Sequence, residues 1–226
     1  MFRKLCDEFF PRPDLFDRQH GTKTSGHSCL PWTRILRGKR DENNRYQAID
    51  PEFFNLAVEN VPRWPFIDLG CGKGRALILA QEAGFRDLAG VEFSPALCRC
   101  TRANLAKTST DAKLICGDAR DYVFPANPAV VFMYNPFGES VMRTVCANMQ
   151  GYPRIVIYAN PSHRQIFSSF HVLRSNENTV VLGNETAGDL VRLEAHDDRA
   201  SPVPRGGLCG GPRSGRECGH PSPLND

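Results

Sequence analysis

Four strand-like runs in this chain end in a side chain able to hold a polar ligand: Asp68, Glu92, Asp118 and Asn135. The first is the most telling. Asp68 is followed by Gly70, Gly72 and Gly74, with Cys71 and Lys73 between them and Arg75 after. Glycine suits such a turn because it accepts positive φ and lets a ligand approach the backbone closely. The spacing is G-x-G-x-G rather than the G-x-G-x-x-G of dinucleotide-binding folds. A carboxylate in front of the turn would repel a pyrophosphate at the helix N-terminus and would attract an ammonium group. Glu92, at the end of the next run, has two acceptor oxygens suited to a pair of ribose hydroxyls. The chemistry implied is binding of an amino-acid–nucleoside ligand, with Asn135-Pro136-Phe137-Gly138 at the rim.

These side chains need a scaffold that brings strand ends together. Apolar runs before Asp68, at 88–92, 113–118, 129–134 and 154–158 read as buried strands. Helical patterns fall between them: 76–83, 94–107 and 139–149, with a further helix at 49–61 opened by Asp50-Pro51. Residues 161–170 are expected to be helical. Two ragged strands, 172–175 and 180 or later to 194, are expected to finish the sheet, with Gly183 and Gly188 suggesting a loop that splits the second. Alternating strands and helices predict a doubly wound parallel sheet, whose ligands bind at the carboxyl ends of the strands.

With four motifs in order, the chain resembles the class I S-adenosylmethionine (SAM)-dependent methyltransferases over residues 46–194. The resemblance implies an α/β Rossmann-like doubly wound sheet of about seven strands in a three-layer αβα arrangement. It implies SAM as cofactor. By position, Asp68, Gly70, Cys71, Gly72 and Gly74 would hold the methionine moiety and Glu92 the ribose. Phe93 would lie against the adenine, Asp118 and Ala119 would meet its edge, and Asn135 would line the mouth. The Asn135-Pro136-Phe137 segment is similar to the Asn-Pro-Pro-Tyr/Phe motif of enzymes that methylate planar amino nitrogens, with one proline rather than two. Together with 131–138, 147–149 and Arg45-Tyr46, it is also similar to the non-SET histone-lysine methyltransferases. Asn135, Phe137 and Tyr46 are therefore the candidate catalytic residues, and the acceptor is expected to be a nitrogen of a protein side chain or small molecule.

Composition sets bounds on partners and compartment. The chain has 226 residues and a net charge of +3, too small to signal nucleic acid. No apolar run is long enough for a membrane span. The N-terminus turns acidic where a signal peptide needs an apolar core. Nine cysteines are scattered. They are read as reduced thiols of a cytoplasmic protein, with Cys71, Cys98, Cys116 and Cys146 in core units and no metal site. Cys98 and Cys100 should point in different directions on one helix, and Cys209 and Cys218 have no histidine pair at zinc-finger spacing.

Three zones follow: a polar, irregular arm at 1–45, a catalytic domain at 46–195, and a Gly/Pro/Arg-rich tail at 196–226 expected to be disordered. Within the arm, residues 16–26 are a candidate lid, weighed against an ordinary surface loop. His163 is a candidate base, weighed against simple exposure, and the basic run Arg34, Arg37, Lys39 and Arg40 is read as a solvated face. Two other functional readings stay open on sequence alone: a nucleotide-dependent oxidoreductase on a related sheet, and a non-catalytic SAM-fold binding protein.

Overall fold

The computed structural model describes residues 13–26, 46–184 and 187. Its centre is a seven-stranded sheet in the order β3-β2-β1-β4-β5-β7-β6. The strands are β1 (Phe66–Leu69), β2 (Leu88–Glu92), β3 (Lys113–Cys116), β4 (Ala129–Tyr134), β5 (Arg154–Ala159), β6 (His171–Ser175) and β7 (Thr179–Gly183). β1 to β5 run parallel, while β7 lies antiparallel to β5 and to β6. The chain winds outward from β1 to β3 and then returns to place β4 on the other side of β1. This reversal opens a crevice at the carboxyl ends of β1 and β4, where ligands bind in open α/β sheets.

The central strands are apolar throughout because both faces are covered. Side chains alternate across the sheet. From β4, Val130 and Phe132 enter one core cluster, and Ala129, Val131 and Met133 enter the other. The first cluster is covered by α2 (Pro51–Val58), α3 (Arg75–Glu82) and α4 (Pro95–Lys107), with Phe54, Phe66, Phe85 and Phe132 at its centre. The second is covered by α5 (Glu139–Asn148), through Val141, Met142 and Val145. The three-layer αβα sheet expected from the sequence is therefore present.

Local chemistry sets the helix limits. Asp50 accepts from Phe53 N at 3.0 Å and Ser94 accepts from Leu97 N at 3.4 Å, each cap being followed by proline at the first helical position. α2 is shorter than the expected 49–61. Its last carbonyls, Leu56 and Ala57, are taken by Arg174 of β6, and Asn60 turns left-handed at φ 57°. The helix expected at 161–170 is only a 3-10 turn, Arg164–Phe167. Phe167 and Phe170 are both drawn into the core, and β6 starts at His171, so no room is left for a longer element. β7 ends at Gly183 because the Asn184 carboxamide accepts from Arg154 N and Ala187 N, which closes a turn. The part of that strand expected between 188 and 194 lies outside the described residues, as do the tail, the basic run at 34–40, Cys209 and Cys218.

Two further differences stand out. The arm is not irregular throughout: α1 (Leu15–His20) is capped by Asp14 at its start and by left-handed Gly21 at its end. Cys116, expected in the core, is exposed at the outer edge strand, whereas Cys71, Cys98 and Cys146 are buried. Cys98 and Cys100 do diverge, one inward and one outward. Among the described residues no helix is long and apolar enough to cross a membrane.

Candidate functional site

The turn after β1 is tightly constrained. Gly70, Gly72 and Gly74 all have positive φ, at 82°, 57° and 85°. Gly70 N and Cys71 N both donate to Val91 O, at 2.8 and 3.0 Å, which ties the turn to β2. Thr101 Oγ1 of α4 donates to Gly72 O at 2.6 Å, and Asn104 Nδ2 donates to Lys73 O at 2.9 Å. A Cβ on Gly70 would meet Pro136 Cβ at 2.5 Å, and one on Gly72 would enter the Tyr46 ring. Close approach and left-handed backbone thus both demand glycine here. The consequence for Gly72→Ala is a forced shift of Tyr46. It should cost about 1–3 kcal/mol, and thermal denaturation should show a midpoint lowered by roughly 2–12 °C.

Asp68, the last residue but one of β1, lies beneath this turn and is only 3% exposed. Among the described residues no protein group donates a hydrogen bond to its carboxylate. Burial, and then the charge of Glu92, push its pKa up to about 8. Glu92 closes β2 beside it and is also buried. Its Oε2 accepts from Gly72 N at 2.9 Å and its Oε1 from Ser94 N at 2.7 Å. Burial lifts its pKa to about 7, against the N–H groups of Ser94, Gly72 and Phe93. The two carboxyls therefore differ. Glu92 is satisfied and holds the glycine turn in place, whereas Asp68 is a buried acid with no hydrogen-bond donor among the described residues, costly unless something positive meets it.

Asp118 lies just past β3, not within it. It caps the 3-10 turn Ala119–Asp121, and its carboxylate is gripped by the Arg120 guanidinium. Ala119 is buried and Phe93 half-buried. At the other side of the crevice, Asn135 is left-handed at φ 42°, and its Oδ1 accepts from the Tyr158 hydroxyl at 3.4 Å. Phe137 is 5% exposed and belongs to the second core cluster. Packing is its first role, and one ring edge reaches towards the Gly70 turn.

Residues 13–26 of the arm fold against this turn. Asp17 of α1 is 2% exposed and accepts from Thr22 Oγ1, Thr24 N, Thr24 Oγ1 and Ser25 N, each at 2.7 Å. Burial works to raise its pKa, but the hydrogen bonds from Ser25, Thr22 and Thr24 outweigh it and hold the carboxyl well below the ordinary range. Arg75, the buried first residue of α3, donates to Asp14 Oδ2 at 2.6 Å and Thr24 Oγ1 at 2.7 Å, and lies over the Phe16 ring. Lys73 Nζ donates to Ser25 O at 2.7 Å, and the Tyr46 hydroxyl to Thr24 O at 2.6 Å.

The predicted residues Asp68, Gly70, Cys71, Gly72, Gly74, Glu92, Asn135, Phe137 and Tyr46 thus gather around one turn, with Phe93, Asp118 and Ala119 along the β2–β3 side. His163 follows β5, where its backbone N donates to the Tyr158 hydroxyl at 3.3 Å. Sequence reasoning places Asp17 and Thr24 only within the candidate lid at 16–26, and it misses the roles of Arg75 and Asn104. One signal was available: an Arg at the first position of a helix otherwise lined by apolar residues is out of place unless buried carboxylates await it.

Comparison with known proteins gives one partial family match and several distant structural likenesses. Residues 66–151 match the family model described as a methyltransferase domain. No curated protein matches the chain by sequence. Among solved structures, TehB from Haemophilus influenzae is 13% identical at a TM-score of 0.48, over 62% of this chain and 64% of that one. This chain therefore covers less than two thirds of TehB. The ribosomal protein L11 methylase from Lactobacillus delbrueckii subsp. bulgaricus is 14% identical at 0.43, over 59% and 74%. The Pyrococcus abyssi tRNA (uracil-54, C5)-methyltransferase, solved with S-adenosyl-L-homocysteine, is 14% identical at 0.43, over 58% and 37%. The family match covers residues 66–151, less than half of the chain, and over that stretch, within a sheet in the order 3-2-1-4-5-7-6, the chain is similar to methyltransferase domains.

Proposed function

We propose that this protein transfers the methyl group of SAM to a nitrogen atom of a protein side chain or small molecule. One observation carries the reading: Asp68, a buried carboxylate with no protein donor among the described residues, set under a glycine turn that has no room for a Cβ. An amino-acid ammonium fits that carboxylate. The backbone of Gly70, Cys71, Gly72 and Gly74 would take the rest of the methionine moiety. Glu92 would accept from ribose hydroxyls with the lone pairs left over from Gly72 N and Ser94 N. Phe93 would cover the adenine, and Asp118 and Ala119 would border its edge, with Arg120 fixing the Asp118 carboxylate.

SAM supplies a methyl group already activated by the positive charge on sulfur. The protein is left with alignment and exclusion of water, and proximity alone is able to supply about 7–11 kcal/mol. Asn135 would direct the acceptor lone pair through its carboxamide. Phe137 would stabilise the sulfonium by presenting its ring face to it, a contact of about 0.5–2 kcal/mol. An amine acceptor would lose its proton more easily in the apolar mouth, since desolvation lowers its pKa. Residues 46–195 would form the catalytic domain and the arm at 1–45 a lid. The packing of Tyr46, Thr24 and Ser25 against the glycine turn supports that division.

Calorimetric titration with SAM tests the reading. The wild type should bind in the micromolar range, and Glu92→Ala should lose at least tenfold. Labelled methyl should then pass to nitrogen in an acceptor screen. Absence of binding by the wild type, or binding of a nicotinamide cofactor instead, would overturn it.

A further inference from the structure

The carboxyl ends of β4 and β5 carry the same device twice. β4 runs Tyr134-Asn135-Pro136, and β5 runs Tyr158-Ala159-Asn160-Pro161. The two strands are parallel and in register up to Tyr134 with Ala159, so Asn135 and Asn160 stand one step beyond the last pair, side by side. Both are left-handed, at φ 42° and 47°. A residue before proline ordinarily prefers extended backbone. Non-glycine residues held in this region cost free energy, and they cluster at ligand clamps. The other two such residues among those described, Asn60 and Ser109, lie just beyond the ends of α2 and α4.

The tyrosines cross over. Tyr158 of β5 donates to Asn135 Oδ1 beyond β4. Tyr134 of β4 meets the Asn160 side chain beyond β5, and burial holds its phenol in the neutral form. Backbone contacts fix the Asn160 turn as well: Asn160 N donates to Asn178 O at 2.8 Å, and His163 N to the Tyr158 hydroxyl at 3.3 Å. Yet Asn160 itself is exposed and Asn135 half-exposed. Two strained, anchored carboxamides, each still reaching solvent, stand on the side of the crevice away from Asp68 and Glu92.

We propose that Asn160 is a second acceptor-contacting residue, and that the Asn135 and Asn160 carboxamides together grip a planar nitrogen acceptor by its polar edge. The inference rests on the proposed methyl transfer. A carboxamide offers one acceptor and two donors in a plane. Two of them side by side complement an amide- or amidine-like edge that has both donor and acceptor atoms. They offer a simple alkyl ammonium no charge.

Asn160→Gly isolates the point. Glycine tolerates the left-handed backbone, so the variant keeps the turn and removes only the carboxamide. The 226-residue chain would be assayed with methyl-tritiated SAM against the small-molecule and protein fractions of a cell extract. SAM affinity and thermal midpoint would be measured in parallel. For Asn160→Gly we expect an unchanged or higher midpoint, SAM affinity within twofold, and kcat/KM for the acceptor at least tenfold lower, mainly through KM. Asn160→Asp, which loses the donors and gains a charge, should not restore transfer. Transfer within twofold of wild type by Asn160→Gly overturns the proposal. So does a loss of SAM affinity in that variant, which would place Asn160 at the cofactor. Full transfer by Asn160→Asp would favour a cationic acceptor and overturn the planar-edge assignment. A wild type that binds SAM but transfers to nothing overturns this inference along with the transfer reading, and one that fails to bind SAM removes the cofactor itself.

Discussion

Asp68→Asn should lower SAM affinity by about 30- to 150-fold at pH 8, the 2–3 kcal/mol of a buried charge-assisted hydrogen bond. The same change should not weaken the empty protein. The folded pKa of Asp68 is raised to about 8, above its value of about 4 in the unfolded chain. A group raised in this way gives its full contribution to stability below the unfolded pKa and loses it as pH climbs towards the folded one. Between pH 4 and 8 the ligand-free wild type therefore grows less stable on account of this carboxyl, and the asparagine variant escapes that loss. Glu92, raised to about 7, adds a similar decline that both proteins share. Binding has the opposite sign. An ammonium ligand needs the ionised carboxylate, so wild-type affinity should rise by up to tenfold per pH unit towards pH 8. It should level off there as the ligand's own α-amino group, of pKa about 7.7–8.0, begins to lose its proton. Calorimetry at pH 6.5 and 8.0, with melting curves at both, checks each part. An Asp68→Asn protein that is less stable than wild type at pH 8 yet binds SAM normally would show that the carboxylate serves the fold and not the ligand.

How far the sequence announced this site depended on how local each signal was. The limits of β2 and β4 were readable to the residue because buried parallel strands are continuous apolar runs with polar ends. The caps at Asp50 and Ser94 were readable because capping residue and proline are neighbours in the chain. The glycine turn and its acids were readable for the same reason. What escaped was long-range. Nothing near Arg174 in sequence says that its guanidinium will end α2, more than a hundred residues earlier. The 3-10 turn at Arg164–Phe167 replaced an expected helix because two phenylalanines had to reach the core from a short connection, a constraint set by tertiary packing. The Asp118 motif says nothing of Arg120, whose guanidinium grips that carboxylate. Asn160 was visible only as a turn residue until the register of β4 and β5 set it beside Asn135.

The arm offers the sharpest case of long-range order and the largest expected effect on stability. Asp17→Ala leaves at least four donors without their acceptor, among them Thr22 Oγ1, Thr24 N, Thr24 Oγ1 and Ser25 N. At about 1–3 kcal/mol for each buried unsatisfied group, their sum exceeds what docking a short segment is able to supply. The arm should therefore detach rather than stay in place and bear the strain, and the cost should stop at the free energy of docking. Two consequences separate this outcome from general unfolding. Trypsin should cut after Lys23 at least tenfold faster, while cleavage within the sheet domain stays at its wild-type rate. SAM affinity should fall, because Tyr46 loses the Thr24 carbonyl and Lys73 the Ser25 carbonyl that hold them over the glycine turn. Arg75 would keep Ile49 O but lose Thr24 Oγ1, so Arg75→Met should reproduce the phenotype, and the double variant should add little to either single one. Because the Asp17 carboxyl is held well below the ordinary range, the stability it provides is present above the unfolded pKa of about 4 and is lost only as pH falls towards the folded value. The wild-type arm should accordingly stay protected from protease at pH 4, and early release there would mean that Asp17 is not what holds it.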